Sequence, residues 1–461
     1  MKKYFALTMI TLLSLNMSAG AAAANLLHVY EDALSNDPVY QQAIAQRLSD
    51  KEAEPLNLAP LLPQAVITGG PALNKQHFSG SASPISSTTS KGYLFTLALT
   101  QAVFDFGKFA ALSGARAASK EADATLNAAS QNLILRVAQA YFNVLKDEDN
   151  LAYSLSNKKA YAKQYDQANQ EFKVGLKTKT DVYTAESSYA ASTANAIAAE
   201  TTLAVDKETL RAITNHVYSS IAPLSEKFPL ISPQPADMDA WVKTALMQNW
   251  SIKAAQLASV SAMETIKQQR AGHFPTLYAQ GSYSAGYNNN FAGAGIATSV
   301  DPNTTGTVPG VFIPTKTHTT NASLSFNLGI PLSSGGAVIA GTNQAKYNYQ
   351  VAMQNLEKNI RETTTNTRQT YLNIMAGIQK IRADKQAIKS AISSYEGIEA
   401  RYQAGTETLV DVLNQQRKVY EAQTYYTTDR YAYVYNILAL KQAAGTLSQE
   451  DLVAINSWLG S

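Results

Sequence analysis

Residues 401–413 read RYQAGTETLVDVL, and a long amphipathic run enters this stretch while another leaves it. Gly405 is typical of the residue just after a helix, because glycine adopts the left-handed conformation without a Cβ penalty. Thr408 and Asp411 have the spacing of a capping box, with Asp in place of the commoner Glu or Gln, and they predict the start of the next helix. The stretch is therefore predicted to be the tip of a helical hairpin.

A second stretch of this kind lies upstream at residues 171–183, which read EFKVGLKTKTDVY. Its Gly175, Thr178 and Asp181 each lie 230 positions before their counterparts in the first stretch. Two tips at one constant offset predict a duplicated unit. We refer to residues 171–183 as the first tip and to residues 401–413 as the second tip.

The mature chain is predicted to contain two repeats, each with strands followed by a long helical hairpin. Apolar residues recur every seven positions after each tip, which predicts a left-handed supercoil of the helices. The predicted bounds in repeat 1, residues 25–240, are about 65–104 for the strands, 106–213 for the hairpin and 214–240 for a proline-rich connector. Those in repeat 2, residues 241–461, are about 277–331 for the strands, 336–444 for the hairpin and 445–461 for a C-terminal segment. Single helices are also predicted over residues 25–54 and 241–270, and polar loops over 74–90 and 288–318.

The N-terminus is typical of a secretory signal peptide over residues 1–24, because Lys2 and Lys3 precede an apolar run that ends in small residues. Removing this segment lowers the formal charge from +3 to +1, which argues against a nucleic-acid binder. The chain has no cysteine, so disulfides and cysteine-ligated metal sites are excluded. After the signal peptide there is no run of 18 or more apolar residues, so no membrane-spanning helix is expected. An exported chain of this kind could be periplasmic, secreted or an outer-membrane barrel.

The predicted strands alternate apolar and polar residues, most regularly in residues 320–330. Their period, and their length of about 8 to 12 residues, are those of outer-membrane barrel strands. Four strands cannot close a barrel, since the smallest barrels have about eight, and an open sheet in lipid would leave unpaired amides. If these strands cross a membrane, several chains must share one barrel. Two chains would supply eight strands and three would supply twelve, and the strand count alone does not choose between them.

The chain resembles the TolC family of outer-membrane efflux proteins. Besides the two tips, the motifs that carry the resemblance are LLPQ at 61–64, LTQAVFD at 99–105, AYFNVL at 140–145, GHFPTL at 272–277 and AGTL at 444–447. The resemblance implies an α+β membrane protein that forms a homotrimer. Four strands per chain would contribute to a shared twelve-stranded β-barrel in the cell outer membrane, which continues into a twelve-helix coiled-coil tunnel in the periplasm. The connector and the C-terminal segment would form an equatorial belt.

The same resemblance implies a passive exit duct of tripartite efflux or type I secretion systems, which exports drugs or proteins. Its expected partners are a periplasmic adaptor (membrane fusion) protein, an inner-membrane transporter of the RND, ABC or MFS type, and outer-membrane lipid. We predict no enzyme, cofactor or metal site, because the five histidines are scattered without metal-binding spacing. The alternative is a soluble periplasmic coiled-coil scaffold or adaptor, which would have no use for outward apolar strand faces.

Asp411 and Asn414 are the candidate aperture residues. From spacing alone, Asp411 is predicted to be a helix cap, and the equivalent residue Asp181 is predicted to be one as well. The resemblance adds that three copies of Asp411 form an acidic ring at the periplasmic aperture, which would favour cations. Asn414 occupies the position at which relatives often carry a second acidic ring, so we expect weaker cation selectivity here.

The resemblance places the polar links of a closed state at Asp181, Tyr402 and Glu407. Glu407 would repel Asp181 where a basic residue would pair with it, and Lys177 and Lys179 could restore the link if they are not simply solvated. The outermost residues of both tips resemble a docking surface for adaptor hairpins, although the glycines would also be needed to make the turns. These residues are Val174, Gly175, Leu176, Ala404, Gly405 and Thr406.

Overall fold

The computed structural model describes residues 23–77, 87–291 and 315–460. Nearly all of the predicted signal peptide and the middle of both predicted polar loops lie outside these residues. The helices are α1 Leu26–Asn36, α2 Pro38–Lys51, α3 Ala53–Leu58, α4 Phe106–Lys173, α5 Lys179–Thr214, α6 Met238–Gln248, α7 Trp250–Arg270, α8 Ala337–Gln403, α9 Leu409–Ala443 and α10 Gln449–Asn456. The strands are β1 Gln64–His77, β2 Ser87–Phe104, β3 Thr276–Phe291 and β4 Thr315–Gly329. Within the described residues, no helix combines the length and the hydropathy needed to cross a bilayer.

The chain folds into two compact units, and each unit draws segments from both halves of the sequence. In the described part, the first unit comprises residues 23–45, 125–252 and 359–460. The second unit comprises residues 46–124 and 253–358 and contains the sheet. The two helical tips and the connector all belong to the first unit.

The sheet of the second unit has the order β1-β2-β3-β4, and all neighbouring strands are antiparallel. Its strands are 14 to 18 residues long, which is longer than predicted. The prediction of polar loops over 74–90 and 288–318 is wrong at the loop ends, where β1, β2, β3 and β4 continue. Main-chain hydrogen bonds hold an antiparallel ladder whatever the side chains are, so polarity alone misplaces the strand ends.

The sheet has one polar face and one apolar face, most clearly on β4. On the polar face, the hydroxyls of Ser323 and Ser282 are 2.8 Å apart, and the amide nitrogen of Asn327 donates to Gln280 Oε1 at 2.9 Å. The alternate residues on β4 are apolar and uncovered: Leu324 is 73% exposed and Phe326 is 67% exposed. Large apolar faces of this kind require lipid or protein to cover them.

Tyrosine hydroxyls hold the proline-rich connector against the long helices in the first unit. Tyr141 of α4 is fully buried and donates to the carbonyl of Ala222 at 2.7 Å. Tyr433 of α9 is also buried, and its hydroxyl donates to the carbonyl of Ile231 at 3.0 Å. Each tyrosine ring therefore fills the core, while its hydroxyl bonds to a carbonyl group of the connector that is not hydrogen-bonded within a helix or sheet.

The prediction of one helix over residues 25–54 is wrong, because Pro38 begins a new helix after Asp37. The Asp37 carboxylate caps α2 by accepting from the backbone N–H of Tyr40 at 2.7 Å, and it pairs with Arg136 of α4 at 2.6 Å. The single helix predicted over 241–270 is likewise interrupted at Asn249. Its side-chain oxygen accepts from the backbone N–H of Ser251 at 2.9 Å and so starts α7.

Asp147 of α4 is a buried acid. Asp147 is 4% exposed, its Oδ1 is 3.4 Å from Lys146 Nζ, and its Oδ2 has no hydrogen-bond partner in the described part of the chain. Burial and the neighbouring carboxyl of Asp206 raise the pKa of Asp147 from 3.8 to about 6. The ionised form is therefore disfavoured in the folded protein.

Replacing Asp147 with asparagine should stabilise the protein at pH 8 by about 1–3 kcal/mol and have little effect near pH 4. The folded-state pKa lies above the unfolded value, so the stability linked to Asp147 is complete below pH 4 and is lost as the pH rises through 6. Denaturation midpoints of the purified protein at both pH values measure this difference. Asp123→Asn is the control, because Arg47 holds the pKa of Asp123 below its usual range and its loss should not stabilise at pH 8. Equal effects of Asp147→Asn at pH 4 and pH 8 would contradict the prediction.

Candidate functional site

Both tips close with the same main-chain turn. At the first tip, the N–H of Gly175 donates to the carbonyl of Phe172 at 3.0 Å, and the N–H of Leu176 donates to the carbonyl of Glu171 at 2.8 Å. Gly405 and its successor repeat both bonds at 3.0 Å, and the two glycines have φ of +79° and +80°. A Cβ at either glycine would meet nothing within 4 Å. The glycines are therefore required for backbone conformation and not for space.

Both predicted capping boxes are formed. The hydroxyl oxygen of Thr178 accepts from the backbone N–H of Asp181 at 3.2 Å, and Asp181 Oδ2 accepts from the backbone N–H of Thr178 at 3.0 Å. Thr408 and Asp411 make the same pair of bonds at 3.3 and 3.2 Å. Bonds from the Thr178 backbone and hydroxyl lower the pKa of Asp181, and bonds from the Thr408 hydroxyl and backbone lower that of Asp411. Both aspartates are thus carboxylates at neutral pH.

Tyr402 joins the two tips of one chain. It is 8% exposed, and its hydroxyl donates to Glu171 Oε2 at 3.2 Å. Lys177 Nζ lies 4.5 Å from the centre of its ring. Burial, together with the charge of Glu171, raises the pKa of Tyr402 to about 12, so the hydroxyl stays protonated and acts as a donor. Within the chain, Tyr402 therefore bonds to Glu171 and not to Asp181.

Glu407 has a partner inside its own tip. Its Oε1 is 3.0 Å from Arg401 Nε across the glycine turn, and the Glu407 side chain is partly buried. The interpretation that Glu407 mainly repels Asp181 is incomplete, because Arg401 balances its charge. The sequence carried a signal for both unpredicted partners: Glu171 and Arg401 occupy equivalent positions of the two tips but have opposite charges.

Lys179 stays on its own helix, where its Nζ is 5.3 Å from the ring centre of Tyr183. Lys177 is the lysine that reaches the second tip, through the ring of Tyr402. The charge of Lys177 also contributes to the low pKa of Asp181, after the hydrogen bonds from Thr178. Of the two lysines proposed to restore a link, the structure thus brings one to Tyr402 and leaves the other beside Tyr183.

A small core packs the two tips together, and polar contacts that the residue spacing does not predict surround it. The buried hydroxyl of Tyr161 on α4 donates to the carbonyl of Leu413 on α9 at 3.1 Å. Ser154 and Tyr420 are joined through their hydroxyls at 3.0 Å. The core itself consists of Tyr161, Ala168, Ala185, Tyr402, Leu409, Val412 and Leu413. These contacts fix α9, and hence Asp411, relative to α4.

The outermost turn differs between the two tips. Val174 and Leu176 are 70% and 74% exposed, so the first tip presents two apolar side chains. Ala404 and Thr406, at the same positions of the second tip, are exposed but small. Asn414 is also exposed, and its amide oxygen accepts from Arg417 at 3.4 Å. In the described ranges, no group of three or more potential ligands could hold a metal ion.

The sequence matches that of known outer-membrane proteins over most of its length. A profile of the family described as outer membrane efflux protein matches residues 29–216 and 241–446. The outer membrane protein TolC of Vibrio cholerae is 34% identical over 443 residues, which cover 96% of this chain and 95% of that protein. TolC of Escherichia coli is 36% identical over 448 residues, which cover 96% and 86%. The alkaline protease secretion protein AprF of Pseudomonas aeruginosa is 27% identical over 94% of this chain and 86% of that protein.

Two solved structures share the fold at lower identity. The CmeC outer membrane channel of Campylobacter jejuni matches with a TM-score of 0.75 and 16% identity, over 95% of this chain and 90% of that one. The outer membrane protein VceC of Vibrio cholerae matches with a TM-score of 0.74 and 20% identity, over 91% and 96%. The arrangement of four strands and two long helical hairpins is thus that of known outer-membrane channels.

Proposed function

The chain belongs to the outer membrane efflux protein family, and we propose that it is the passive exit duct of a tripartite efflux or type I secretion assembly. The observation that carries this proposal is the uncovered apolar face of the sheet. The strands of this sheet lead along the chain into the long helical hairpins. In outer membrane, lipid would cover the apolar face. A passive duct supplies no energy itself, so energy for export would come from the partner pump.

The sheet supports assembly of several chains into one shared barrel, and we propose that the assembly is a homotrimer. In the described residues, β1 and β4 each pair with one neighbouring strand, so each has a free edge. Free edges cannot remain unpaired in lipid. In the proposed trimer, β4 of each protomer pairs with β1 of the next, which closes a barrel of twelve strands. The helical hairpins of three chains then form the walls of the periplasmic tunnel.

The second tips form the periplasmic aperture in this proposal, with Asp411 towards the axis and Asn414 one turn further along. Asp411 is ionised and belongs to the first turn of α9, where its capping bonds use one carboxylate oxygen, Oδ2. Three carboxylates around one axis would attract cations and oppose anions. Tyr402, Glu171, Lys177, Arg401 and Glu407 would hold the tips in their closed arrangement. Capping and aperture roles are compatible for Asp411.

The exposed turns of the tips are the proposed docking surface for a periplasmic adaptor, which would connect the duct to an RND, ABC or MFS transporter. Val174 and Leu176 offer apolar contact at the first tip, and the small residues of the second tip allow close approach of a partner helix. A soluble scaffold or adaptor is not favoured as the function of this chain. Such a protein would leave the apolar face of β4 exposed to water.

Reconstitution tests the proposal directly. The purified protein should insert into planar lipid bilayers and produce stable single-channel currents, and it should fractionate with outer membrane in cells. A matched variant with Leu324→Asn and Phe326→Asn should lose membrane insertion, because both substitutions place amides on the apolar face. Ser323→Asn, on the polar face of the same strand, is the control. Recovery of the unmodified protein in the soluble periplasmic fraction would exclude the proposed function.

A further inference from the structure

One face of α9 carries charges that the proposed aperture does not use. Successive helical residues are rotated by about 100°, so Asp411, Asn414 and Lys418 fall within a sector of about 60°. On the other side of the helix, Leu409, Val412 and Leu413 pack into the protein, and the buried residues Gln415 and Val419 lie between the two sides. Asn414 and Lys418 are exposed, and Asp411 is partly exposed. If Asp411 faces a lumen, Lys418 faces it as well.

Lys418 lies about 10 Å beyond Asp411 along the helix axis, since each residue adds about 1.5 Å. The neighbouring charges largely balance each other: Arg417 Nε is 3.7 Å from Glu421 Oε1, and Arg417 also donates to Asn414. Lys418 has no ion pair among the described residues. This turn of α9 therefore carries one net positive charge per chain.

The equivalent positions of the first repeat do not carry this charge. The equivalents of Arg417 and Lys418, 230 positions earlier on α5, are Ser187 and Ser188. The hydroxyl of Ser188 donates to the carbonyl of Thr184 in its own helix at 3.0 Å. Both helices begin with the same Thr–Asp capping box, yet only α9 carries the basic pair. A charge that packing does not explain is a candidate for function.

On the basis of the proposed function, we propose that three copies of Lys418 form a binding site for polyvalent anions inside the duct, about 10 Å beyond the Asp411 ring. An ammonium group is a compact point charge that binds phosphate and carboxylate groups. Three such groups around one narrow axis reinforce each other, because a charged cleft with low-dielectric walls concentrates counter-ions. Cargo entering at the tips would then meet an acidic ring first and a basic ring second.

Block of single-channel current by inorganic tripolyphosphate tests this site. The reconstituted channel should be blocked by tripolyphosphate added on the barrel side, from which the anion reaches Lys418 without passing the Asp411 ring, and Lys418→Gln should raise the blocking concentration at least about tenfold. Lys389→Gln is the matched control, because Lys389 is an exposed lysine on α8 in the same unit, and it should change the concentration less than about twofold. Block by a trivalent lanthanide cation, which depends on Asp411, is measured in parallel.

The two proposals fail in different ways. A channel blocked by the lanthanide but not by tripolyphosphate would keep the acidic aperture and overturn the basic site. Equal responses of Lys418→Gln and Lys389→Gln would also overturn it, because block would then reflect overall charge. A channel that responds to neither ion would overturn both the Lys418 site and the placement of Asp411 at the aperture.

Discussion

Replacing Asp411 with asparagine should raise the concentration of a multivalent cation needed to block the channel by about tenfold to a hundredfold. It should also shift the ion preference of the open channel towards anions. Three carboxylates are lost together, and each is ionised at neutral pH because its bonds with Thr408 lower the pKa of Asp411. In the proposed aperture, Asn414 adds no charge one turn further on, so no second acidic ring would compensate for the loss. Single-channel recordings with a trivalent lanthanide measure both quantities.

The twin of Asp411 provides a matched control. Asp181 makes the same capping bonds at the start of α5, so Asp181→Asn should weaken a cap to a similar extent. It should leave cation block nearly unchanged if only the second tips line the aperture. Similar changes in block for both variants would mean that the effect comes from the loss of a cap, and that Asp411 has no separate electrostatic role.

Replacing Gly445 with alanine should destabilise the protein by about 2–5 kcal/mol. Gly445 follows α9 with φ of +75°, and a Cβ there would lie 2.4 Å from the carbonyl oxygen of Gln248. The left-handed conformation costs an alanine about 1–2 kcal/mol, and the collision is with main chain that cannot rotate away. Gln131 of α4 also donates to the carbonyl of Gly445 at 3.0 Å, so a shift of Gly445 would break this hydrogen bond.

A substitution at Asn215, the equivalent residue of the first repeat, separates the cost of the left-handed conformation from the cost of the steric collision. Asn215 follows α5 with φ of +55°, and it lies 230 positions before Gly445. Asn215→Gly should change the free energy of unfolding by less than about 1 kcal/mol, because glycine adopts the same conformation freely. Chemical denaturation of the purified variants provides the comparison. A cost for Gly445→Ala no larger than that for Asn215→Gly would show that the structure relaxes around the new methyl group.

Local signals in the sequence predicted the tips well, because each signal depends on residues close together in the chain. Glycine at the end of a helix and threonine three residues before aspartate specify main-chain hydrogen bonds that require no distant partner. The alternation in β4 similarly predicted which side chains share a face. The ends of the strands were not predicted, because the main-chain hydrogen bonds of the sheet continue into polar sequence. The helix breaks at Pro38 and Asn249 were not predicted either, because helix capping there overrides the apolar periodicity.

The side-chain contacts between the tips could not be predicted from spacing. Tyr402 and Glu171 are 231 positions apart, and their hydrogen bond depends on how α4 and α8 pack. The pair between Arg401 and Glu407 is more accessible to sequence reasoning, because a turn at Gly405 brings its two flanks together. Opposite charges on either side of a predicted glycine turn are a usable signal for such a pair.

The two free edges of the sheet have a genetic consequence. A protomer with a damaged β4 edge can still offer an intact β1 edge, so it can enter a ring and prevent the ring from closing. In a cell that makes equal amounts of normal and damaged chains, only about one trimer in eight would contain normal chains alone. Alleles that damage one edge should therefore be dominant over the wild-type allele. An allele that abolishes synthesis of the chain should instead be recessive, because it contributes no faulty subunit to any ring.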